Sequence, residues 1–440
     1  MVPDTIVAPA TPPGYGGLSV VRISGNIACD IGLSISSRSF LKDRYSTYSI
    51  LLDIDGQKMD DGLLTYFKGP NSYTGEDVVE VSCHGNPIIV DRIVSFALNR
   101  GARQAEPGEF TKRAFINGRL DLIQAESVGK LIESRSFSAS KMNSKVLAGH
   151  LSRHLFEMKN DIISCLSYLE FEFDISEDDD LNTGLIKKLH NSLNNNILAC
   201  DSLISSYSEG RLYNKGAKVV ICGEPNVGKS TLLNTILDMD RAITSSIPGT
   251  TRDFLESNIL LSGVPVALTD TAGIRSSNDP LESVSVDRSR REIKNADIIL
   301  NIFCGSTLPI DYNRDRKHEI LVYNKLDIKK PPVLRRKFIS ISALKNIGIN
   351  KLKNELIKRL IKNNDSSSDI ILTTRRQFNS IRECKECLER GLKILVGGGA
   401  ELELIAFEFR DSINHIDILL GKTSIDDILD KVFSGFCVGK

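Results

Sequence analysis

Hydrophobic and polar positions follow three successive rhythms along this chain. Up to residue 117, short β-type runs such as Gly17-Leu-Ser-Val-Val-Arg-Ile23 and Asp77-Val-Val-Glu-Val-Ser82 alternate with Gly/Pro/Asn turns. That pattern predicts a compact α+β unit over 1–117. From 118 to 212 the spacing becomes helical. Leu151, Leu155, Met158 and Ile162 fall on one face, and Gly and Pro nearly vanish. Within this stretch Glu177-Asp-Asp-Asp180 reads as a solvated loop. Over 216–362, apolar strand-like runs alternate with helical segments, as in a doubly wound α/β sheet. Lys362-Asn-Asn-Asp-Ser-Ser-Ser-Asp369 is a polar linker, and helical periodicity then returns to about 433. The economical organisation is one all-α domain, 118–212 plus 363–440, interrupted by the α/β domain. Insertions fit where chain ends lie close together.

The α/β segment carries the clearest chemistry. Gly223-Glu-Pro-Asn-Val-Gly-Lys-Ser230 has the form G-x-x-x-x-G-K-S. It stands between the apolar run Lys218-Val-Val-Ile-Cys222 and the helical pattern Thr231-Leu-Leu-Asn-Thr-Ile-Leu237. This is the strand–loop–helix setting of a phosphate-binding loop, in which inward backbone N–H groups and a helix N-terminus receive phosphate oxygens. Lys229 reaches the β- and γ-phosphates there, and the Ser230 hydroxyl binds Mg²⁺. Asn324-Lys-Leu-Asp327 follows the strand pattern Ile320-Leu-Val-Tyr323. Guanine presents two adjacent N–H donors that one carboxylate, Asp327, can accept, whereas adenine offers no such pair. The predicted nucleotide is GTP. Ser342-Ala343-Leu344, after Phe338-Ile-Ser-Ile341, would support the base from the other side.

Asp270-Thr271-Ala272-Gly273 ends a further strand pattern, Val264-Pro-Val-Ala-Leu-Thr269. Asp270 is placed to hold Mg²⁺ through water, and the Gly273 N–H to sense the γ-phosphate. Gly249-Thr250-Thr251-Arg252-Asp253 reads as a switch loop with Thr251 as second Mg²⁺ ligand, and Ser245, Ser246, Ile247 and Pro248 directly before it are counted with the nucleotide site. With Asn226, Val227, Gly228, Lys229, Ser230 and Thr231 of the phosphate loop and Asn324, Lys325, Leu326 and Asp327, these segments form the candidate GTP site. Ras-like enzymes orient the attacking water with a glutamine directly after the glycine equivalent to Gly273. Here that residue is Ile274. Asn226 could instead help hold a monovalent cation beside the phosphates. Glu282 reads either as a solvated helix carboxylate or as the group that positions water.

Composition adds bounds rather than chemistry. Lys+Arg and Asp+Glu are both 56 among 440 residues, which argues against a strongly electrostatic nucleic-acid binder but leaves room for local patches. Nine scattered cysteines fit a reducing compartment. Cys384-Lys-Glu-Cys387 lies in a charged helical stretch without a second pair, a weak metal signal. No apolar run approaches the ~20 residues of a membrane helix, and the first residues lack the regions of a signal peptide. A soluble, cytoplasmic protein is expected. The final Phe433-Ser-Gly-Phe-Cys-Val-Gly-Lys440 is unusually apolar for a tail. Either its phenylalanines dock on the helical core, or Cys437 and Lys440 reach into a site.

From end to end the sequence resembles the MnmE (TrmE) family of bacterial tRNA-modification GTPases. The resemblance rests on Thr5-Ile-Val-Ala8, Ala10-Thr-Pro-Pro-Gly14, Arg22-Ile-Ser-Gly25, Gly69-Pro-Asn-Ser-Tyr-Thr-Gly-Glu-Asp77, Pro107-Gly-Glu-Phe110 and Leu120-Asp-Leu-Ile-Gln-Ala-Glu126. To these it adds the GTPase motifs and the Cys437-Val-Gly-Lys440 ending. It implies a tetrahydrofolate-binding α+β N-terminal domain that dimerises, an all-α helical domain and an inserted Ras-like G domain. Family contacts to 5-formyl- or methylene-tetrahydrofolate fall on Arg22, Glu80, Arg119 and Lys440; the family has Lys at position 119. It further implies K⁺ at Asn226, Ser245, Ile247 and Thr250, Mg²⁺ at Ser230 and Thr251, and Glu282 as catalytic acid. Cys437 is implicated in the modification chemistry. Implied partners are a second copy of the chain, the flavoprotein MnmG (GidA) in a heterotetramer, and tRNA, whose wobble uridine gains an aminomethyl-type group at carbon 5. A stand-alone regulatory or ribosome-assembly GTPase would share the motifs from 223 to 344 but leaves the first 120 residues and the tail without a purpose.

Overall fold

The computed structural model describes residues 4–175, 183–239, 256–270, 291–305, 318–361, 370–397, 402–422, 432–437 and 439. Their contacts divide the chain into two compact units. Met1–Gly129, Val146–Ile197 and Ser380–Lys440 form one, and Lys130–Lys145 with Leu198–Asn379 the other. The helices, in chain order, are α1 (Ala28–Ser34), α2 (Pro87–Asn99), α3 (Glu109–Ile116), α4 (Leu122–Glu133), α5 (Phe137–Leu147) and α6 (His150–Ile175). They continue with α7 (Thr183–Lys215), α8 (Lys229–Met239), α9 (Ile349–Leu360), α10 (Arg375–Val396) and α11 (Leu402–Leu420).

In the first unit, β1 (Ile6–Pro9), β2 (Gly16–Ser24), β3 (Ser46–Leu52), β4 (Lys58–Phe67), β5 (Val78–Gly85) and β6 (Arg103–Gln104) form a sheet in the order β3-β4-β5-β2-β1-β6. Pairing is antiparallel except between β1 and β6. The period-two alternation puts Val79, Val81 and Cys83 of β5 and Val21 and Ile23 of β2 into one core. Ile93 and Phe96 of α2 join them there. That helix starts cleanly because the Asn86 side chain accepts from the Ile88 N–H and Pro87 takes the first helical position. In the helical part, Leu151, Leu155, Met158 and Ile162 of α6 are all buried, as their spacing predicts. α6 and α11 are joined by an ion pair from Lys159 to Asp417.

An ionic hub ties the chain start to this unit. Arg113 on α3 pairs with Asp4, Glu76 and Glu109, and Arg103 pairs with Asp4 and Glu109. The hub also fixes the loop 69–77, where Glu76 additionally accepts from the Ser24 hydroxyl at 2.8 Å. Burial pushes the Glu109 carboxyl up, but bonds from Arg103, the Glu106 backbone and Arg113 outweigh it and hold the group below its usual range. Asp4 is also held low, chiefly by its bond from Arg103.

In the second unit, β7 (Ala217–Gly223), β8 (Glu256–Leu261), β9 (Val264–Asp270), β10 (Ile298–Phe303), β11 (Glu319–Tyr323) and β12 (Ile339–Ser340) run in the order β12-β11-β10-β7-β9-β8. All neighbours are parallel except β8 with β9. Every residue of β10 and β11 is buried, which explains why these strands read as continuous apolar runs rather than alternating ones. Leu232 and Ile236 of α8 and Leu352 and Leu356 of α9 close the core. No helix among the described residues is long and apolar enough to cross a membrane, and no disulfide joins the described cysteines.

Arg113→Ala removes the cation that Glu76 shares with Glu109, leaving Glu109 and Asp4 on Arg103 alone. It should lower the local stability of β1 and α3 by about 3 kcal/mol, read as faster amide hydrogen exchange there in the full chain. Because both Asp4 and Glu109 are depressed in the folded state, their contribution is present above the unfolded carboxylate value, about pH 4, and is lost as pH falls through the lower folded values. Acid should therefore loosen the same amides in the parent protein, and also in the variant from its lower starting stability, because Arg103 still holds both carboxyls low there.

Candidate functional site

The C-terminal ends of parallel strands open into loops on one edge of a doubly wound sheet, and ligands settle there. β7 leads into the phosphate-loop sequence, β9 ends on Asp270, β11 delivers Asn324-Lys-Leu-Asp327, and β12 delivers Ser342-Ala343. Four motifs far apart in sequence thus meet on one edge. Their contacts are specific. The Ser230 hydroxyl donates to Asp270 Oδ2 at 2.9 Å. Two hard oxygen donors side by side suit Mg²⁺, which prefers carboxylate, hydroxyl and water oxygens. Lys229 is buried and bends back over its own loop, donating to the carbonyls of Gly223 and Glu224 at 3.0 and 2.8 Å.

The base side is held by Asn324, which is 3 % exposed. Its Nδ2 donates to the Val227 carbonyl at 2.8 Å, and its Oδ1 accepts from the Ala343 N–H at 3.0 Å. One amide therefore bolts the phosphate loop to the loop after β12. The approach is so close that a side chain at Gly228, whose φ is +95°, would run into the Asn324 amide. Lys325 takes a left-handed backbone, φ 66°, and its ammonium donates to the Asn226 carbonyl at 2.7 Å. Asp327 is exposed at the rim and accepts from the Ser342 hydroxyl at 2.5 Å. That bond holds its carboxyl below the usual range against a small opposing effect of burial, so the acceptor is ionised at neutral pH. Leu344 is exposed beside it. Thr235, which the motif reading passed over, adds a bond from its hydroxyl to the Ala343 carbonyl at 2.9 Å. Its place in α8, nearly two turns beyond Lys229, carried no motif that would single it out.

Val227, Gly228 and Thr231 lie in the phosphate loop and the first turn of α8, and Leu326 donates its N–H to the Ile341 carbonyl at 3.0 Å. Asn226 is exposed with φ 62°. Ser245, Ser246, Ile247, Pro248, Gly249, Thr250, Thr251, Thr271, Ala272, Gly273, Ile274, Glu282 and Lys440 lie outside the described residues, as do the run 177–180 and the linker 362–369.

In the other unit, Arg22 and Glu80 are cross-strand partners on β2 and β5. Both Nε and Nη2 of Arg22 donate to Glu80 Oε1, at 2.9 and 2.7 Å. The guanidinium also stands 5.3 Å from the Tyr73 ring centre and 5.7 Å from that of Phe110. Sequence reading missed these two aromatic neighbours, although both lie in segments it singled out. Arg119 lines a cleft of about 680 Å³ with Lys112, Phe115, Asp121, Phe156 and Lys422. The tail docks: Phe433 is buried against Leu122 and Ala125, with Phe115 and Phe436 packed alongside. Gly439, φ +95°, sits so close to the Pro9 carbonyl that only glycine fits. Cys437 is exposed, and its carbonyl accepts from the Gly108 N–H at 3.4 Å. The apolar ending is thus explained by docking, and the thiol stays open to solvent.

Two family models match the chain: GTP-binding protein TrmE N-terminus over residues 5–119 and MnmE helical domain over residues 122–437. A relative from Aquifex aeolicus named tRNA modification GTPase MnmE is 37 % identical over 99 % of this chain and 100 % of its own length. One of the same name from Pseudothermotoga lettingae is 37 % identical over 100 % of both chains. Among solved structures, the FeoB G-domain from Methanococcus jannaschii aligns at 20 % identity and a TM-score of 0.25, over 33 % of this chain and 97 % of that one. Matched over its whole length by relatives of one name, the chain belongs to the MnmE (TrmE) family of tRNA modification GTPases.

Proposed function

We propose that this chain is the GTP-hydrolysing subunit of a cytoplasmic complex that modifies carbon 5 of the tRNA wobble uridine with a folate-derived one-carbon unit. The observation that supports it most is the meeting of the phosphate loop, Asp270 and Asp327 on one sheet edge, in a chain related throughout to tRNA modification GTPases. In this reading the loop N–H groups of Asn226 to Thr231 receive the phosphates, and Lys229 swings from the Gly223 and Glu224 carbonyls onto them. Asp327 accepts both guanine N–H donors, oriented by Ser342, with Ala343 and Leu344 flanking the base. The switch segment 245–251 and Asp270 to Gly273 complete the phosphate side.

Ser230 and Thr251 would hold Mg²⁺ directly, with Asp270 beside them; when bound, the ion neutralises charge on the β- and γ-phosphate oxygens. Asn226, exposed at the loop rim, fits K⁺ with Ser245, Ile247 and Thr250, and Glu282 positions the attacking water. For the folate, Glu80 keeps its Oε2 available while Arg22 holds Oε1, which suits a pterin ring that presents adjacent N–H donors. Arg119 and Lys440 would serve its carboxylates, and Cys437, exposed on the docked tail, is proposed for the modification chemistry. Tyr48 and Ile50 on the edge strand β3 and Leu63, paired with Tyr48 across β4, are exposed on one face. That apolar face supports a homodimer, which MnmG (GidA) would join as a heterotetramer.

The decisive experiment is nucleoside mass spectrometry of tRNA from cells lacking the gene. Loss of the carbon-5 wobble modification is expected, and an unchanged nucleoside profile would sink the proposal. Asp327→Asn should weaken GTP binding about 100-fold or more while improving xanthosine triphosphate binding, because an amide donor matches the xanthine 2-oxo group. Equal loss of both ligands would instead mark a folding defect. GTP turnover should be faster in KCl than in NaCl, and Asn226→Ala should abolish that difference; equal parent rates in the two salts would remove K⁺ from the site.

A further inference from the structure

Cys387 was half of a weak sequence signal, Cys384-Lys-Glu-Cys387, with no second pair to complete it. The fold supplies different partners. Cys387 on α10 meets Asp411 and His415, one turn apart on α11, and their donor atoms all lie within 4.8 Å of one another. Cys387 Sγ stands 3.2 Å from Asp411 Oδ2, and His415 Nε2 stands 3.8 Å from that same oxygen. In a tetrahedral zinc site with Zn–S about 2.3 Å and Zn–O or Zn–N about 2.0–2.2 Å, donors sit roughly 3.5 Å apart. The observed separations bracket that value.

The surroundings are also those of a ligating histidine. His415 Nδ1 faces Glu383 Oε2 at 3.4 Å. A carboxylate beside one ring nitrogen favours the proton there and leaves the lone pair of the other, Nε2, for the cluster. Nε2 and Asp411 Oδ2, which takes the Cys387 thiol proton in the metal-free protein, then both offer lone pairs to the cluster. Charge balance agrees. Arg390 donates to Cys387 Sγ at 3.2 Å and stands 3.9 Å from Asp411 Oδ2, but its charge is met by two 2.8 Å bonds to Glu408. A thiolate and the Asp411 carboxylate would therefore match one divalent ion. Cys387 is buried, whereas Asp411 and His415 are partly exposed and leave an entry path.

We propose that Cys387, Asp411 and His415 bind one zinc ion, with water as fourth ligand, and so clasp α10 to α11. Burial, and then Asp411, push the Cys387 thiol up to about 12, so the metal-free thiol keeps its proton and donates it to Asp411. Binding forms the Zn–S bond as that proton leaves to solvent, with no change in oxidation state. Glu383 is a positioning residue, acting on the metal through the His415 ring.

The test uses the full chain carrying Cys437→Ser, which removes the exposed thiol as a competing ligand. After zinc loading and passage over a chelating resin, metal analysis should find one zinc per chain, lost in Cys387→Ser and in His415→Gln. Cobalt loading should give a thiolate-to-metal charge-transfer band that Cys387→Ser abolishes, and Glu383→Gln should weaken zinc affinity by about tenfold or more. If Cys387→Ser does not fold, the partly exposed His415 decides the matter. Equal zinc in parent and His415→Gln proteins, or none retained by the parent, overturns the proposal.

Discussion

The nucleotide edge of the second unit depends on a single buried amide. Asn324 satisfies the Val227 carbonyl and the Ala343 N–H together, so the phosphate loop and the base-side loop cannot move independently. Either backbone group left unpaired in that interior would cost about 1–3 kcal/mol. The rest of the edge follows from this bond. With Ala343 fixed, Ser342 is fixed, and its hydroxyl orients and acidifies Asp327. With Val227 fixed, the loop keeps the backbone in which Lys325 reaches the Asn226 carbonyl. Asn324 is thus first a structural part of the site, whatever it contributes to the bound base.

The first unit solves a comparable problem with charge. Its chain start would fray if left to β1 alone, a strand of four residues. Asp4, Glu76 and Glu109 gather around Arg113 and Arg103, and the network ties strand, loop and α3 together. The same loop 69–77 carries Tyr73, whose ring lies beside Arg22. The chain's far end closes against this framework through Phe433 and Gly439. Asp4 near one end and Phe433 and Gly439 near the other are thus held within the same unit.

Most of the architecture was legible because burial imposes a period. β7 and β11 read as apolar runs since nearly all of their residues are buried, and α6 showed its buried face through Leu151, Leu155, Met158 and Ile162. The site motifs were legible because phosphate and guanine recognition demand particular residues at fixed spacing. What escaped was contact between residues that no spacing connects. Tyr73 and Phe110 meet Arg22 across the sheet's own fold. Asp411 and His415 meet Cys387 only because α10 and α11 pack with those faces together. A one-dimensional reading saw the cysteine and paired it with Cys384, its neighbour on the same helix, when the partners lay on another.

The described edge is a binding surface more than a hydrolytic one. Its fixed groups are phosphate-loop N–H donors, a hydroxyl–carboxylate pair at Ser230 and Asp270, and a carboxylate for the base. None of these orients water against a γ-phosphate, and the Ile274 side chain has no polar atom to do so. On the proposed reading, turnover then depends on groups brought to a preformed nucleotide: Glu282 from the chain, and a monovalent cation at the Asn226 rim. Such an arrangement makes hydrolysis conditional, since electrostatic stabilisation acts only when the charge is in place. On that reading a GTPase that drives another reaction gains from the condition, because the nucleotide is spent only when the remaining groups assemble.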